Sequence, residues 1–266
     1  MPRALVGLIL AASVPLSTLS GQAASPPLRV EEASGIATKT SATAESRERL
    51  RALIGRGAYA SARRLADEAR GFRIVISLDD RVLWVLRDND TIRTTSVGIA
   101  SGLTLDFGGR SWTFRTPRGK HTVIGSKANP VWTPPDWAYA ETASQYNLRL
   151  AWLSPGKPVA LHDGRSLTIQ NGTVGVVDRE GQFRALPRDE HIVFESTLYV
   201  PPFGTVNRQI KGQLGPYALD LGGGYLLHGG PQSDSLAPTH GCIRLTDQDL
   251  EWLYHNVAKG TPVYIY

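Results

Sequence analysis

From Phe72 onward, the chain alternates short runs of β-branched and aromatic residues with turn-forming residues. Three such runs come first: FRIVISL (72–78), RVLWVLR (81–87) and TIRTTSVGI (91–99). They are separated by Asp79-Asp80 and by Asp88-Asn89-Asp90. Val, Ile and aromatic residues favour strands, while clustered Asp and Asn favour tight turns. The pattern therefore predicts a meander of antiparallel hairpins.

The same pattern returns in the rest of the chain. Strands are predicted at residues 121–124, within 166–178 and 191–200, on both sides of a glycine bend in 217–230, and at 261–266. The proline-rich segment NPVWTPPDW (129–137) is predicted to be an ordered surface loop, because proline cannot donate to a strand ladder. No internal repeat is present.

Two segments have helical spacing instead. Residues 44–70 place apolar side chains at helical intervals, with a break expected near Gly55 to Gly57. Residues 246–257 begin with Thr246 as an N-cap and continue with acidic residues in the first turn and an apolar stripe. The predicted fold class is mostly β (α+β), with a short N-terminal helical appendage.

The N-terminus predicts export. Met1-Pro2-Arg3 is a short basic region, residues 4–16 are apolar, and Gly21-Gln22-Ala23 resembles a cleavage site, so residues 1–23 are predicted to be a signal peptide. The apolar run is short for a membrane span, so no stable span is expected after cleavage; the alternative is an uncleaved anchor. Residues 24–71 are interpreted as a flexible leader and helical segment, and 72–266 as one domain. The predicted localisation is the periplasm.

Composition narrows the class of partner. The chain has 266 residues, 41% hydrophobic and 20% charged, which is typical of a globular protein. The formal net charge of +5 is spread along the chain and suits an anionic surface, whether a membrane, a cell-wall polymer or nucleic acid. Export argues against nucleic acid as that partner. A single cysteine, Cys242, cannot form a disulfide within the chain, which leaves an intermolecular bridge, an inert thiol or a reactive one.

The residues around Cys242 favour a reactive thiol. THGCIRL (239–245) places Gly241 and His240 directly before it, and His228 with Gly229 and Gly230 ends the preceding strand. An imidazole can take the thiol proton and generate a nucleophilic thiolate. A sharp turn at Gly241 could aim consecutive N–H groups at one point, as in an oxyanion hole.

Plainer explanations exist for each residue. Cys242 could be an inert buried thiol, and Arg244 could pair with Asp247 instead of binding a substrate carboxylate. Zinc is disfavoured because one Cys and two His lack a fourth ligand at the usual spacing. No metal and no cofactor is therefore predicted.

The segment HGGPQSDSLAPTHGCIRL (228–245) resembles the signature of the L,D-transpeptidases, the YkuD-type catalytic domain, and the resemblance extends over about residues 72–266. It implies a mixed β-sandwich with a cradling helix. It also implies these roles: Cys242 as nucleophile, His228 as general base with its ring oriented by the Gly229 backbone, His240 and Gly241 with Cys242 as oxyanion-hole donors, and Arg244 and Thr239 as substrate-binding residues. The sequence itself does not decide between His228 and His240 as the base.

The implied function is cell-wall cross-linking, with consequences for cell shape. Cys242 would be acylated by a peptidoglycan stem tetrapeptide, release D-alanine and pass the acyl group to an amine; carbapenems would acylate the same thiol. Two alternatives stay open: an L,D-carboxypeptidase or endopeptidase using the same cysteine, and a non-catalytic wall-binding module. The sequence departs from the family signature in a long segment, about 140–200, which is interpreted as a possible insertion or lid.

Overall fold

A computed structural model describes residues 56–57, 60–232 and 236–266. The predicted signal peptide (1–23) and most of the predicted leader lie outside the described residues. Arg56 and Gly57 are helical, so the helix break expected near Gly55 to Gly57 is wrong at those two residues. Within the described part, none of the helices is long and apolar enough to cross a membrane.

The described chain is mostly β, as predicted. Its helices are α1 (60–68), α2 (Asp136–Gln145) and α3 (Asp247–Asn256), with a 3-10 turn at Val206–Arg208. The strands of the first half are β1 (Phe72–Ser77), β2 (Val82–Arg87), β3 (Asp90–Ser96), β4 (Thr104–Phe107), β5 (Arg110–Thr113), β6 (Gly119–Thr122), β7 (Gly125–Ala128), β8 (Val131–Trp132), β9 (Arg149–Trp152) and β10 (Val159–Ala160). Those of the second half are β11 (Ser166–Gln170), β12 (Thr173–Val177), β13 (Phe183–Ala185), β14 (Ile192–Phe194), β15 (Thr197–Val200), β16 (Ile210–Lys211), β17 (Tyr217–Asp220), β18 (Leu226–His228), β19 (Ile243–Arg244) and β20 (Pro262–Ile265).

Two mixed sheets form a sandwich. The first has the order β3-β2-β1-β20-β6, in which β1, β2 and β3 are the predicted antiparallel meander and β20 runs parallel to β1. The second has the order β19-β18-β17-β7, with β18 antiparallel to β17 and parallel to β19. Strands from the beginning and the end of the domain thus pair in one sheet. The first sheet is complete only when the C-terminal strand β20 has joined β1.

The main core lies between these sheets and α3. Its fully buried members come from all three layers: Ile74, Ile76, Leu83, Leu219, Leu227, Ile243, Leu250, Leu253 and Ile265. The predicted N-cap of α3 is confirmed, because the Thr246 hydroxyl accepts a hydrogen bond from the Asp249 N–H at 3.2 Å. Burial of Leu250 and Leu253 on one face of α3 gives the cradling helix that the family resemblance implied.

The N-terminal helix α1 packs on the outer face of the first sheet. Ala62 and Ala66 are buried against Val75, Tyr264 and Tyr266. Small side chains at helical spacing allow the helix to approach the aromatic rings of β20 closely. The described part of the predicted appendage is therefore a packed layer of the domain.

Residues 133–209 form a separate group of elements, here called the insertion lobe. The lobe leaves the sandwich after β8 and returns at β16, and these two strands pair antiparallel, Trp132 with Ile210 and Val131 with Lys211. It contains α2, an antiparallel sheet β10-β11-β12-β13 and a second sheet β14-β15-β9. Its own buried clusters are Leu153, Leu161, Leu167, Val174, Val176, Ile192 and Tyr199, and Tyr139, Ala143, Leu198 and Val200.

The prediction of a loop over residues 129–137 is wrong in part. Val131–Trp132 is a short strand, and α2 begins at Asp136 directly after the proline pair. Proline at the start of a helix costs nothing, because the first N–H groups have no intrahelical partner. The hairpin β4–β5 was also not predicted; it packs against α2, where Phe107 contacts the lobe core.

Arg208 fixes the base of the lobe. Its side chain is 2% exposed and donates to the Pro134 and Pro201 carbonyls at 2.8 and 2.9 Å, and to Asp136 Oδ1 at 2.8 Å. Burial disfavours the Asp136 carboxylate, but hydrogen bonds from Arg208 and Trp152 outweigh this and keep the pKa of Asp136 below its usual value. One guanidinium therefore joins the start of α2 to both ends of the lobe.

Replacing Arg208 is expected to destabilise the domain strongly. Arg208→Ala leaves Asp136 and two carbonyls without their donor, which predicts a loss of about 3 kcal/mol of unfolding free energy. Urea denaturation followed by tryptophan fluorescence would measure it. The control is Arg184→Ala, whose side chain is 78% exposed and lies 3.7 Å from Asp178; a change below about 0.5 kcal/mol is expected there. Equal effects of the two substitutions would contradict the role given to Arg208.

Candidate active site

The alternation of side chains in the second sheet separates core from cleft. Leu227 pairs with Ile243 and both are buried in the core, while the next pair, His228 and Arg244, points to the opposite face. Cys242 lies two residues before Arg244 and therefore shares its side of the strand. The predicted thiol, imidazole and guanidinium are thus brought together on one face of the β18–β19 pair.

This face is the floor of a cavity of about 860 Å³. Asp220, Leu226, His228, Cys242 and Arg244 line it from the sandwich. The insertion lobe supplies the facing wall: Trp137, Ala138, Glu141, Thr142 and residues 188–192. The candidate site is a cleft between the sandwich and the lobe, where a peptide could lie along the sheet edge.

The turn that carries Cys242 is clamped by residues 98–101. Gly98 and Arg244 exchange two backbone hydrogen bonds of 2.8 Å, and on the other side of the turn Thr239 donates to Ile99 while Ser101 donates to Thr239, both at 2.9 Å. These four bonds hold the two ends of the turn on one backbone segment. The sequence indicated only a strand over 91–99, but β3 ends at Ser96 and the following residues pair with the turn instead.

Thr239 uses its hydroxyl inside the turn. It donates to the Cys242 carbonyl and accepts from the Gly241 N–H at 3.2 Å, and the residue is 5% exposed. In this structure the Thr239 side chain supports the turn; Thr239 also lines the cleft, and its role in binding substrate stays a prediction. The Gly241 N–H is likewise engaged within the turn, which suits a supporting role, and the oxyanion-hole role of His240, Gly241 and Cys242 stays a prediction.

Two glycines are required at the site by close contacts. Gly241 has φ +148°, and a Cβ there would lie 3.1 Å from the Tyr225 ring. A Cβ on Gly229 would lie 2.5 Å from Asp247 Oδ1. The glycines that the sequence places beside His228 and Cys242 thus allow backbone approaches that a larger residue would block.

His228 is a buried imidazole that stays neutral. Burial lowers its pKa to about 4, and the positive charge of Arg244 acts in the same direction. The Gly229 backbone is close enough to favour the charged ring, yet Nδ1 has no well-formed hydrogen bond with any described residue. The orientation of the ring by Gly229 stays a prediction. A neutral imidazole has a lone pair available to accept a proton.

Cys242 is half-buried and its sulfur faces the glycine bend. Sγ donates to the Gly224 carbonyl at 3.8 Å. Burial raises the pKa of the thiol; a hydrogen bond to the Leu226 backbone and the charge of Arg244 lower it, and Asp220 raises it further. The thiol of Cys242 and the imidazole of His228 line the same cleft, and burial favours the neutral form of both.

His240 is held away from the role of base. Its ring stacks on Trp137 with centroids 4.1 Å apart at 18°, meets the edge of Phe114 at 4.4 Å, and places Nε2 3.0 Å from Glu141 Oε1. The ring is thus packed against the insertion lobe. This geometry favours His228 as the base, the choice that the sequence left open.

Arg244 lines the cleft. Its Nε is buried and has no hydrogen-bond partner among the described residues. Burial lowers the pKa of Arg244, while the neighbouring Cys242 raises it. A guanidinium in this position suits a carboxylate of a ligand.

Sequence analysis missed the residues of the facing wall. Trp137 and Glu141 lie on α2, whose first residues were predicted to belong to a loop. The clamp begins at the end of the strand predicted over 91–99 and continues beyond it to residue 101. In the described part of the chain, no cluster of three or more His, Cys, Asp or Glu side chains could hold a metal ion.

The described chain combines a mostly β sandwich with a cleft whose lining includes Cys242 and His228. The sequence matches the model of the YkuD family, the L,D-transpeptidase catalytic domain, over residues 71–265. The chain therefore belongs to the YkuD L,D-transpeptidase family. This membership supports a cell-wall transpeptidase-type function and an acyltransferase-type enzyme. No curated protein matches the sequence.

Solved structures of L,D-transpeptidases are similar to this chain at low identity. The enzyme from Xylanimonas cellulosilytica shares 18% identity over 75% of this chain and 62% of that chain, with a TM-score of 0.37. The enzyme from Mycobacterium smegmatis shares 17% over 74% and 59%, with a TM-score of 0.37. L,D-transpeptidase 1 of Mycobacterium tuberculosis shares 16% over 73% and 61%, with a TM-score of 0.34. The chain spans about 60% of the length of these neighbours.

Substitution of Gly98 is expected to disturb the Cys242 turn. A Cβ there would lie 2.6 Å from the Leu236 carbonyl oxygen, so the clamp or the loop must move, at a cost of about 2 kcal/mol. Gly98→Ala should lower the unfolding free energy. It should also slow the alkylation of Cys242, because the displaced turn changes the access of the reagent to the thiol. Gly125→Ala is the control, because a Cβ at Gly125 meets no atom within 4 Å. An unchanged Gly98→Ala protein would refute the clamp.

The low pKa of His228 predicts an acid-sensitive domain. In the unfolded chain an imidazole binds a proton below about pH 6.5, whereas folded His228 binds one only near pH 4. The unfolded state therefore binds more protons between these values, and stability falls as the pH falls through this window, by about 2 kcal/mol at about pH 4.5. His228→Asn should remove this part of the dependence. Urea denaturation of both proteins at about pH 7 and about pH 4.5 measures it, and equal slopes would contradict a buried neutral imidazole.

Proposed function

We propose that this protein is a periplasmic L,D-transpeptidase that forms cross-links in peptidoglycan through an acyl-enzyme on Cys242. The observation that carries the proposal is the convergence of His228, Cys242 and Arg244 on one face of the β18–β19 pair, at the floor of a cleft of about 860 Å³. Membership of the YkuD family supports the same chemistry.

In the first half-reaction, neutral His228 takes the proton of the Cys242 thiol as sulfur attacks the carbonyl carbon after the third residue of a stem tetrapeptide. A C–S bond forms, and the carbonyl oxygen becomes an oxyanion. The C–N bond then breaks, and the imidazolium returns its proton to the departing amine of D-alanine. The product is a thioester between Cys242 and the stem tripeptide.

In the second half-reaction, an amine of another stem attacks the thioester. His228 accepts a proton from this amine, a new amide bond forms, and the sulfur leaves and is protonated again by the imidazolium. Both half-reactions pass through an oxyanion, for which the N–H groups of His240 and Cys242 are the proposed donors. No cofactor takes part in this scheme.

Electrostatics support this order of proton transfer. Burial keeps both the thiol and the imidazole neutral at rest, so the proton moves only when a substrate carbonyl is in position to receive the sulfur. Arg244 lowers the pKa of the thiol and so favours the thiolate as it forms. We propose that its guanidinium also binds a carboxylate of the stem.

The location follows from the N-terminal sequence and the charge. Residues 1–23 are the proposed signal peptide, and the net charge of +5 suits an anionic wall. A role in cell-wall organisation and cell shape follows from cross-linking itself.

Product analysis with a tetrapeptide stem and an amine acceptor tests the proposal. Wild-type protein is expected to release D-alanine and form an equal amount of cross-linked dimer. Cys242→Ala should lose activity about 1000-fold or more, and His228→Asn about 100-fold or more. Mass spectrometry of the products gives both quantities.

The other outcomes separate the alternatives. D-alanine release without dimer would assign the acyl-enzyme to water, as in an L,D-carboxypeptidase. Full activity of a folded Cys242→Ala protein would contradict the nucleophile. Binding to isolated cell wall with no turnover at all would instead favour a binding module.

A further inference from the structure

The side chain of His240 connects the turn that carries Cys242 to the insertion lobe. The ring of His240 lies between Trp137, which it stacks on at 4.1 Å, and Phe114, whose edge it meets at 4.4 Å. Its Nε2 lies 3.0 Å from Glu141 Oε1. Of these three contacts, only the one with Glu141 is directional, so it sets the rotation of the ring within its stack.

Trp137 and Glu141 lie on the same face of α2. They are four residues apart on α2, so their side chains are neighbours one turn apart. The start of α2 is in turn fixed by the ion pair of Asp136 with buried Arg208. The two contacts with His240 therefore come from an anchored element and not from a loose loop.

The hydrogen bond with Glu141 indicates which ring nitrogen of His240 carries a proton. An ionised carboxylate only accepts hydrogen bonds, so Nε2 of His240 must carry the hydrogen that joins them. That nitrogen has no lone pair to offer Cys242. The ring of His240 is thus a structural connection between the lobe and the turn, while its backbone N–H belongs to the turn itself.

We propose that Glu141 is a positioning residue: through His240, it holds the turn that presents the His240 and Cys242 N–H groups to the developing oxyanion. This inference rests on the proposed function for the identity of the reaction. By this proposal the insertion lobe is part of the active site, because α2 lines the cleft and also determines the position of the oxyanion-hole donors. Misplacement of such donors by a fraction of an ångström to one ångström lowers rates severely.

Two reactions of the same thiol separate this role from general stability. Acylation by a β-lactam passes through a tetrahedral oxyanion and needs the donors of the turn. Alkylation by iodoacetamide displaces iodide at a saturated carbon and forms no oxyanion. A defect in donor geometry therefore slows the first reaction and spares the second, whereas a defect in folding or access changes both.

The experiment compares Glu141→Ala and Glu141→Gln with wild type in the full-length chain. Acylation by a carbapenem and alkylation by iodoacetamide are each followed by intact mass. Glu141→Ala is expected to slow acylation about 10-fold or more while alkylation stays within about twofold. Glu141→Gln keeps an acceptor oxygen and should recover most of the acylation rate. The matched control is Glu180→Gln, since Glu180 is exposed in the lobe and does not line the cleft.

Hydrogen exchange of the peptide containing residues 239–242 gives a readout that does not need activity. Glu141→Ala should exchange faster there than wild type and Glu180→Gln. Equal loss of both thiol reactions, or unchanged acylation with unchanged exchange, would overturn the positioning role. Absence of any adduct in wild type would contradict the proposed function instead. In that case, faster exchange in Glu141→Ala would still support the link from Glu141 to the turn. Unchanged exchange would refute that link.

Discussion

The site depends on the register of the two short parallel strands β18 and β19. Leu227 and Ile243 face the core at 0% and 1% exposure, and this burial forces their neighbours His228 and Arg244 to the cleft. A shift of one residue would exchange the two faces and place charged and titratable groups in the core, which is prohibitively costly. Burial of Leu227 and Ile243 in the hydrophobic core thereby determines which side chains face the cleft. As a result, the imidazole, the thiol and the guanidinium share one surface.

Two further supports turn this surface into a site. The backbone of residues 98–101 binds both ends of the Cys242 turn, and the insertion lobe holds His240 through Trp137 and Glu141. The first support is part of the sandwich, and the second comes from a lobe with its own cores that joins the sandwich at the β8–β16 pair. Burial in the cleft favours the neutral form of both the Cys242 thiol and the His228 imidazole.

Sequence alone predicted the parts whose information is local. The β1–β3 meander, the β17–β18 strands and the capped helix α3 follow from periodicity, turn residues and the Thr246 N-cap. The glycine beside each candidate residue and the lone Cys242 pointed to the site. The rest depends on hydrogen bonds that the pattern of residues does not reveal. Within the turn, the Thr239 hydroxyl donates to the Cys242 carbonyl and accepts from the Gly241 N–H. The contact of Glu141 with His240 joins residues 99 positions apart in the sequence. The helix α2 was missed because Pro134 and Pro135 were taken to indicate a loop. Prolines disfavour strands, but they are also common at the start of a helix.

The central claim is that Cys242 carries the acyl group, and trapping that group tests it most directly. The protein would be incubated with a stem tetrapeptide, quenched in acid and digested, and the peptide containing Cys242 analysed by mass spectrometry. We predict that this peptide gains the mass of the stem tripeptide as a hydroxylamine-sensitive thioester. D-alanine release with an unmodified Cys242 peptide and the acyl group on another residue would contradict it.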